Sequence, residues 1–237
     1  MIKIRRSSER GHANLGWLDS YHTFSFADYF DPNHVEFGPL RVINEDRVMG
    51  GAGFGEHPHR DMEIISYVLE GELAHTDSTC SPKSVIKAGD VLRMSAGRGV
   101  RHAEFNNSAS QPVHFLQIWI KPNQLDVVPE YEERHFETEE KRGRLRLIAS
   151  SDGTDKSVRI NQDARIYAGL FDGPDQISLE IAPGRRAYVH VARGEITANG
   201  EALASGDAMK LTDATTLSLC DGTSAEVLVI DLPGDHH

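Results

Sequence analysis

Between residues 40 and 120 the apolar positions fall in short runs, none carrying a helical period: 40–43, 63–69, 84–86, 91–94 and 113–120. Most are rich in Val, Ile and Leu. Turn chemistry separates them: Glu70-Gly71 ends the second run, Lys87-Ala88-Gly89-Asp90 follows the third, and Pro122 stands just past the last. The pattern predicts strands. It resumes after residue 149 with runs at 165–169, 177–181, 187–191 and 225–232. Within 195–203 the dipeptide Asn199-Gly200 predicts a hairpin, because Asn-Gly suits the type I′ turn that matches strand twist. Residues 131–148 break the pattern. They are polar, acidic and poor in core formers, and read as a linker with room for a short helix.

The two stretches of strands resemble each other. Tyr67-Val68-Leu69-Glu70-Gly71-Glu72 parallels His190-Val191-Ala192-Arg193-Gly194-Glu195, and Ala88-Gly89-Asp90-Val91 parallels Ser205-Gly206-Asp207-Ala208. An all-β chain built from a duplicated unit follows, with residues 1–130 as one barrel, 131–148 as linker and 149–237 as the second barrel.

Candidate chemistry sits in the first unit. His57-Pro58-His59 and His102-Ala103-Glu104 each place two metal-ligand residues one apart, and on a strand residues i and i+2 share a face. If the two strands are neighbours, His57, His59, His102 and Glu104 converge as three nitrogens and one oxygen. Imidazole suits iron, copper, nickel and zinc, and the carboxylate adds oxygen character that iron and manganese accept. Four protein ligands leave coordination positions open for substrate. Counting back from the paired glycines, the second unit has Glu180 and Ala182 where the first has His57 and His59, so the residue 149–237 barrel is expected to bind no metal.

Composition narrows the setting. With 21 Gly and 10 Pro among 237 residues, the chain suits turn-rich β structure. A net charge of −11 argues against nucleic acid and anionic membrane surfaces, which attract clustered Lys and Arg. Only Cys80 and Cys220 occur, which suggests no disulfide framework and points to a reducing compartment. The start, Met1-Ile2-Lys3-Ile4-Arg5-Arg6, lacks the apolar stretch of a signal peptide, and no run is long enough to span a membrane. A cytoplasmic protein is the expectation.

Longer strings carry a family resemblance. Gly53 through Gly71 resembles the first cupin motif, and Gly89 through Asn106, with Gly97, His102 and Asn106 in order, resembles the second. The match is narrower still in His22-Thr23-Phe24-Ser25-Phe26, Phe37-Gly38-Pro39-Leu40-Arg41-Val42, Glu56-His57-Pro58-His59-Arg60-Asp61-Met62-Glu63-Ile64 and Met94-Ser95-Ala96-Gly97, which look like pirin sequence. Arg93 and Thr79-Cys80-Ser81 are less typical. The resemblance implies a bicupin, two small β-barrels with the metal in the first, held by His57, His59, His102 and Glu104. It implies one divalent ion, Fe(II) foremost, with Zn, Ni, Cu, Co or Mn also accepted.

Several bacterial pirins act as quercetin 2,3-dioxygenases, so the implied reaction is cleavage of a flavonol with O2, with Glu104 as the base that takes the substrate's 3-hydroxyl proton. Animal pirins are described as nuclear cofactors of transcription factors. The alternative is therefore a non-catalytic metal-binding regulator with a protein partner, and an isomerase or hydrolase on the same scaffold is a further rival.

The remaining candidates read more plainly. Glu63 has the spacing of the glutamate ligand in other cupins and the parity of the histidines, while the pirin pattern makes it a supporting group. Arg60 and Asp61 read as an ion pair, His75-x-Asp77 as polar strand residues, and His190 as a lone histidine. His22 lies among Tyr21, Phe24, Phe26, Tyr29 and Phe30, which read as core packing. His236 and His237 are a tail.

Overall fold

A computed structural model describes residues 1–78 and 83–234. Thr79, Cys80, Ser81, His236 and His237 lie outside the described residues. The chain is nearly all-β and divides into two compact units, each with its own core.

The first unit comprises Gly11–His135 and Val158–Gln162. Its larger sheet is antiparallel, in the order Glu130–His135, Asp90–Ser95, Glu63–Glu70, Val113–Ile120, Leu40–Val48, Leu18–His22, Gly11–Asn14. A second sheet runs Gly53–His59, Val100–Asn106, Glu72–Asp77, Ser84–Lys87. Alternate residues of the first sheet, among them Ile64, Val68, Leu92, Met94, Val113 and Phe115, pack with Leu73, Ile86 and Val100 of the second. This closed apolar layer makes the unit a barrel with the 53–59 and 100–106 strands on one side.

The second unit takes Met1–Arg10, Phe136–Ser157 and the chain from Asp163 onward. The opening segment thus does not belong with residues 11–130. Ile2–Arg5 pairs antiparallel with Ala208–Thr212, and Asp207 accepts hydrogen bonds from Arg6 Nη1 and the Ser7 amide, both at 2.7 Å. The sheet continues through Arg186–Ala198, Thr216–Leu232, Arg165–Gly173 and Arg146–Ser150. Val189, Val191, Met209, Leu211, Val227 and Val229 form its core.

The sequence repeat has a matching topology. In one unit Glu63–Glu70 lies between Asp90–Ser95 and Val113–Ile120; in the other Arg186–Ala198 lies between Ala208–Thr212 and Thr216–Leu232. The paired glycines share a backbone reason. Gly71 and Gly194 both have φ near +70° (+76° and +68°), and a Cβ at either would meet a neighbouring carbonyl oxygen, Pro112's at 2.7 Å or Thr223's at 2.3 Å. Asn199 and Gly200 both have positive φ, as a type I′ turn requires, and Glu195–Ala198 pairs with Glu201–Ala204 across them.

Residues 131–148 are not a loose connector. Glu130–His135 is an edge strand on Asp90–Ser95, Thr138–Lys141 forms one helical turn, and Arg146–Ser150 is already a strand of the second unit. The strand was illegible because an edge strand with both faces partly in solvent needs few apolar residues. Cys220 is a free thiol. No helix among the described residues is long and apolar enough to cross a membrane.

Candidate metal centre

Gly53–His59 and Val100–Asn106 are antiparallel neighbours, and their register places His57 directly opposite His102 and Val100 opposite His59. Beyond that pair the register shifts, so Glu104 stands opposite Phe54 rather than Gly55. Such a bulge bends a strand and re-aims its side chains. It is accommodated by close backbone approach at Gly53, where a Cβ would lie 2.4 Å from the Glu104 carbonyl oxygen.

The three imidazoles meet. The donor atoms of His57, His59 and His102 all lie within 4.8 Å of one another, and among the described residues this is the grouping of three or more His, Cys, Asp or Glu able to hold a metal. His57 Nε2 and His102 Nε2 are 3.0 Å apart. Two nitrogens bound at right angles, each about 2.1 Å from one ion, would have that separation. His57 Nδ1 lies 2.8 Å from the Gly55 carbonyl, which can only accept, so Nδ1 carries the proton and Nε2 keeps its lone pair. His59 Nε2 is buried without a hydrogen-bond partner. An unpartnered nitrogen beside two lone-pair nitrogens is a donor set that suits a divalent ion, so the residues fit the metal.

Electrostatics agree. Burial, then the neighbouring His102 and His57, pushes His59 down to about 3; burial, then His57 and His75, does the same to His102. Both are neutral at pH 7, the protonation state that ligates. Because the unfolded chain takes up these protons near 6.5, the folded state loses stability as pH falls from about 6.5 toward 3. Asp46, raised to about 7, works in the opposite sense between about 7 and 4, but one carboxyl opposes two imidazoles. The melting temperature of metal-free protein is therefore expected to drop from pH 7 to pH 5, and a flat or rising profile would contradict the burial of neutral histidines.

Glu104 is buried on the same strand, with its carboxylate held from behind. Ser66 Oγ donates to one oxygen at 3.1 Å and Gln117 Nε2 to the other at 2.7 Å. Each oxygen keeps a lone pair beyond the bond it accepts. The close set is the three histidines, and Glu104 lines the same cleft as His57.

Glu63 goes elsewhere. Its carboxylate accepts from Ser95 Oγ at 2.6 Å and Asn161 Nδ2 at 3.2 Å, not from any of the three histidines. The parity that would align it with them fails because strand Gly53–His59 does not continue into Glu63–Glu70. Asp61, at φ +47°, turns the chain between them. Arg60 pairs with Asp61 at 3.3 Å and Asp126 at 2.5 Å on the surface, as its ion-pair reading expects.

Three groups were missed or undervalued in the sequence. His75 is no mere polar strand residue. It stands opposite Glu104 on the neighbouring strand, its Nε2 lies 3.1 Å from His102 Nδ1, its Nδ1 lies 3.8 Å from Asp77 Oδ2, and Tyr131 stacks on its ring. A partner on Nδ1 directs the other nitrogen of His102 into the cluster. The His-x-Asp spacing was the available signal. The N-terminal aromatics divide: Phe24 is core, whereas Phe26 and Tyr29 line a cleft of about 480 Å³ together with Trp119, Phe54 and His57. Asn44 and Asp46, in the same cleft, carry a signal in the sequence too: the run Asn44-Glu45-Asp46 is polar yet lies in a largely buried strand between Ile43 and Val48.

Comparison with known proteins follows the same lines. A family model described as Pirin matches residues 3–120, and one described as Quercetinase C-terminal cupin domain matches residues 147–232. A quercetin 2,3-dioxygenase of Escherichia coli (strain K12) is 43% identical over 233 residues, spanning 98% of this chain and 99% of that protein. The crystal structure of the bacterial pirin YhhW in complex with nickel(II), from E. coli, has a TM-score of 0.94 at 43% identity, covering 99% of this chain and 100% of that one. The protein YhaK from E. coli is 28% identical with a TM-score of 0.75, over 94% of this chain and 98% of that one.

Proposed function

This chain belongs to the pirin family, and from that premise we propose that it is a metal-dependent dioxygenase that cleaves a flavonol such as quercetin with O2. The observation that carries the reading is the set of three close imidazoles, one of which, His57, lines a cleft of about 480 Å³ with the buried carboxylate of Glu104 on its wall. Clefts of this size take small organic ligands. Its name connects the E. coli relative with quercetin, and the nickel complex of YhhW supports a divalent ion in this fold.

His57, His59 and His102 would hold the ion, with Glu104 as the fourth ligand and Fe(II) as the native metal. Bound there, the ion would supply Lewis acidity and redox chemistry with dioxygen. The chain's own residues do the rest. Glu104 takes the proton of the substrate's 3-hydroxyl on a lone pair that Ser66 and Gln117 leave free. Those two donors fix the direction of the carboxylate. Phe26, Phe54 and Trp119 flank a flat aromatic ligand and keep water from its faces.

Oxygen uptake on adding quercetin to iron-loaded protein is expected, with none by the metal-stripped protein. Turnover under argon would instead favour an isomerase or hydrolase, and no oxygen uptake with any of the six candidate ions would sink the dioxygenase reading. The second unit is proposed to bind no metal, since Glu180 is exposed and stands where the repeat would need a histidine. Elemental analysis should give one ion per chain; a ratio near two would refute this.

A further inference from the structure

The inner wall of the first unit's barrel carries a row of polar side chains, of which the chemistry above uses only Ser66 and Gln117. Strand register explains the row. Ser20 lies opposite Asp46, Asn44 lies between His22 on one neighbour and Gln117 on the other, and Gln117 lies opposite Ser66. Ser20, Asn44, Asp46 and Gln117 all line the cleft that His57 and Glu104 reach from the opposite sheet. Neighbouring strands are about 4.8 Å apart. Gln117 already touches Glu104, so Asn44 stands about one strand further along the same wall.

The row is incompletely satisfied. Asn44 is only 3% exposed, yet its Oδ1 has no hydrogen-bond partner; His22 Nδ1 and Trp119 Nε1, in the same cleft, are also buried and unpartnered. A buried polar atom left without a partner has given up its water and is destabilising unless something binds it. A barrel could place an apolar residue at any of these positions. An acceptor and a donor left open beside aromatic walls suit a ligand that is flat and carries polar hydrogens at its edge.

We propose that Asn44 and Asp46 form a recognition subsite for a ring hydroxyl of an aromatic substrate, separate from the group that meets the metal end of the cleft. Asn44 Oδ1 accepts the hydroxyl hydrogen. Asp46, tied to Ser20 Oγ, faces the same ligand edge from two residues along the strand. Burial, opposed in part by the Ser20 hydrogen bond, raises the Asp46 carboxyl to about 7, so near neutrality it also exists as a neutral donor. The subsite selects polyhydroxylated ligands over deoxy or O-methylated ones, because an analogue without the hydroxyl leaves Asn44 desolvated and unpaired.

The inference rests on the reading of the cleft as a flavonol site, and its test separates the two. Binding of quercetin and of analogues lacking one ring hydroxyl at a time is measured by fluorescence titration of the metal-loaded protein under argon. Wild type, Asn44→Ala and Asn44→Leu are compared, with metal content and melting temperature as controls on folding. Removal of one particular hydroxyl is expected to weaken wild-type binding roughly tenfold and to cost neither variant anything. The two variants differ in volume but share the lost acceptor, so a packing effect would separate them and a hydrogen bond would not. Asp46→Asn, which keeps shape and a donor, should lose less than Asp46→Leu.

If every hydroxyl deletion costs the variants as much as it costs wild type, the subsite is refuted. Coupling without oxygen uptake would keep the subsite and remove the dioxygenase. A wild-type protein that binds no member of the series overturns both.

Discussion

Replacing His57 and His59 together by alanine is expected to lower metal content from one ion per chain to none and to abolish oxygen uptake, with the barrel still folded. Two of the three imidazoles disappear, and His102 with one carboxylate is too small a set to retain an ion against water. Folding survives because the barrel's apolar core is built from other residues. Both histidines are only half-buried on a strand whose residues are otherwise partly or fully exposed, whereas Ile64, Val68, Leu92 and Phe115 form the closed layer. Elemental analysis and a circular-dichroism melt check both halves of the statement. An unchanged metal content in the double variant would end the ligand assignment.

Glu104→Gln is the second large effect. The amide keeps an oxygen toward the cleft but cannot accept the substrate's proton, and a positioned general base typically contributes two to four orders of magnitude. Turnover should fall by roughly a hundred- to ten-thousandfold, with part of the metal retained. Glu63→Gln supplies the contrast. Groups that hydrogen-bond a metal ligand are worth about ten- to a hundredfold when changed, but Glu63 bonds to Ser95 and Asn161 instead. Its replacement should cost less than about tenfold in turnover, with any loss shown mainly in the melting temperature. If Glu63→Gln proves the more damaging to turnover, the glutamate at the metal is Glu63 and the assignment of Glu104 fails.

Much of this protein is local and therefore readable along the chain. Strand runs such as 113–120 are visible because a β-strand buried on both faces is mostly apolar, and Val113–Ile120 is the strand observed, with His114 and Gln117 as its polar interruptions. Asn199-Gly200 specifies its turn because few other dipeptides adopt two successive positive φ values. The pairing of His57 with His59 needed only the two-residue period of a strand. The polar segment at 131–148 misled for the same local reason: an edge strand hides in polar sequence.

What the sequence by itself determined is thus the all-β class, the duplicated unit, and three histidines arranged so that adjacent strands would bring them together. Tertiary structure decided everything that depends on which strand lies beside which. The positive φ of Asp61 turned Glu63 away from the histidines despite its parity, and the register of Glu72–Asp77 on Val100–Asn106 put His75 behind His102. Three strands distant in sequence brought Ser20, Asn44, Asp46 and Gln117 into one row. Such groups carry no periodic signature, because each strand contributes only one or two residues and the spacing between contributions is set by loops. Hydrogen-bond register across the sheet, not order along the chain, makes them neighbours.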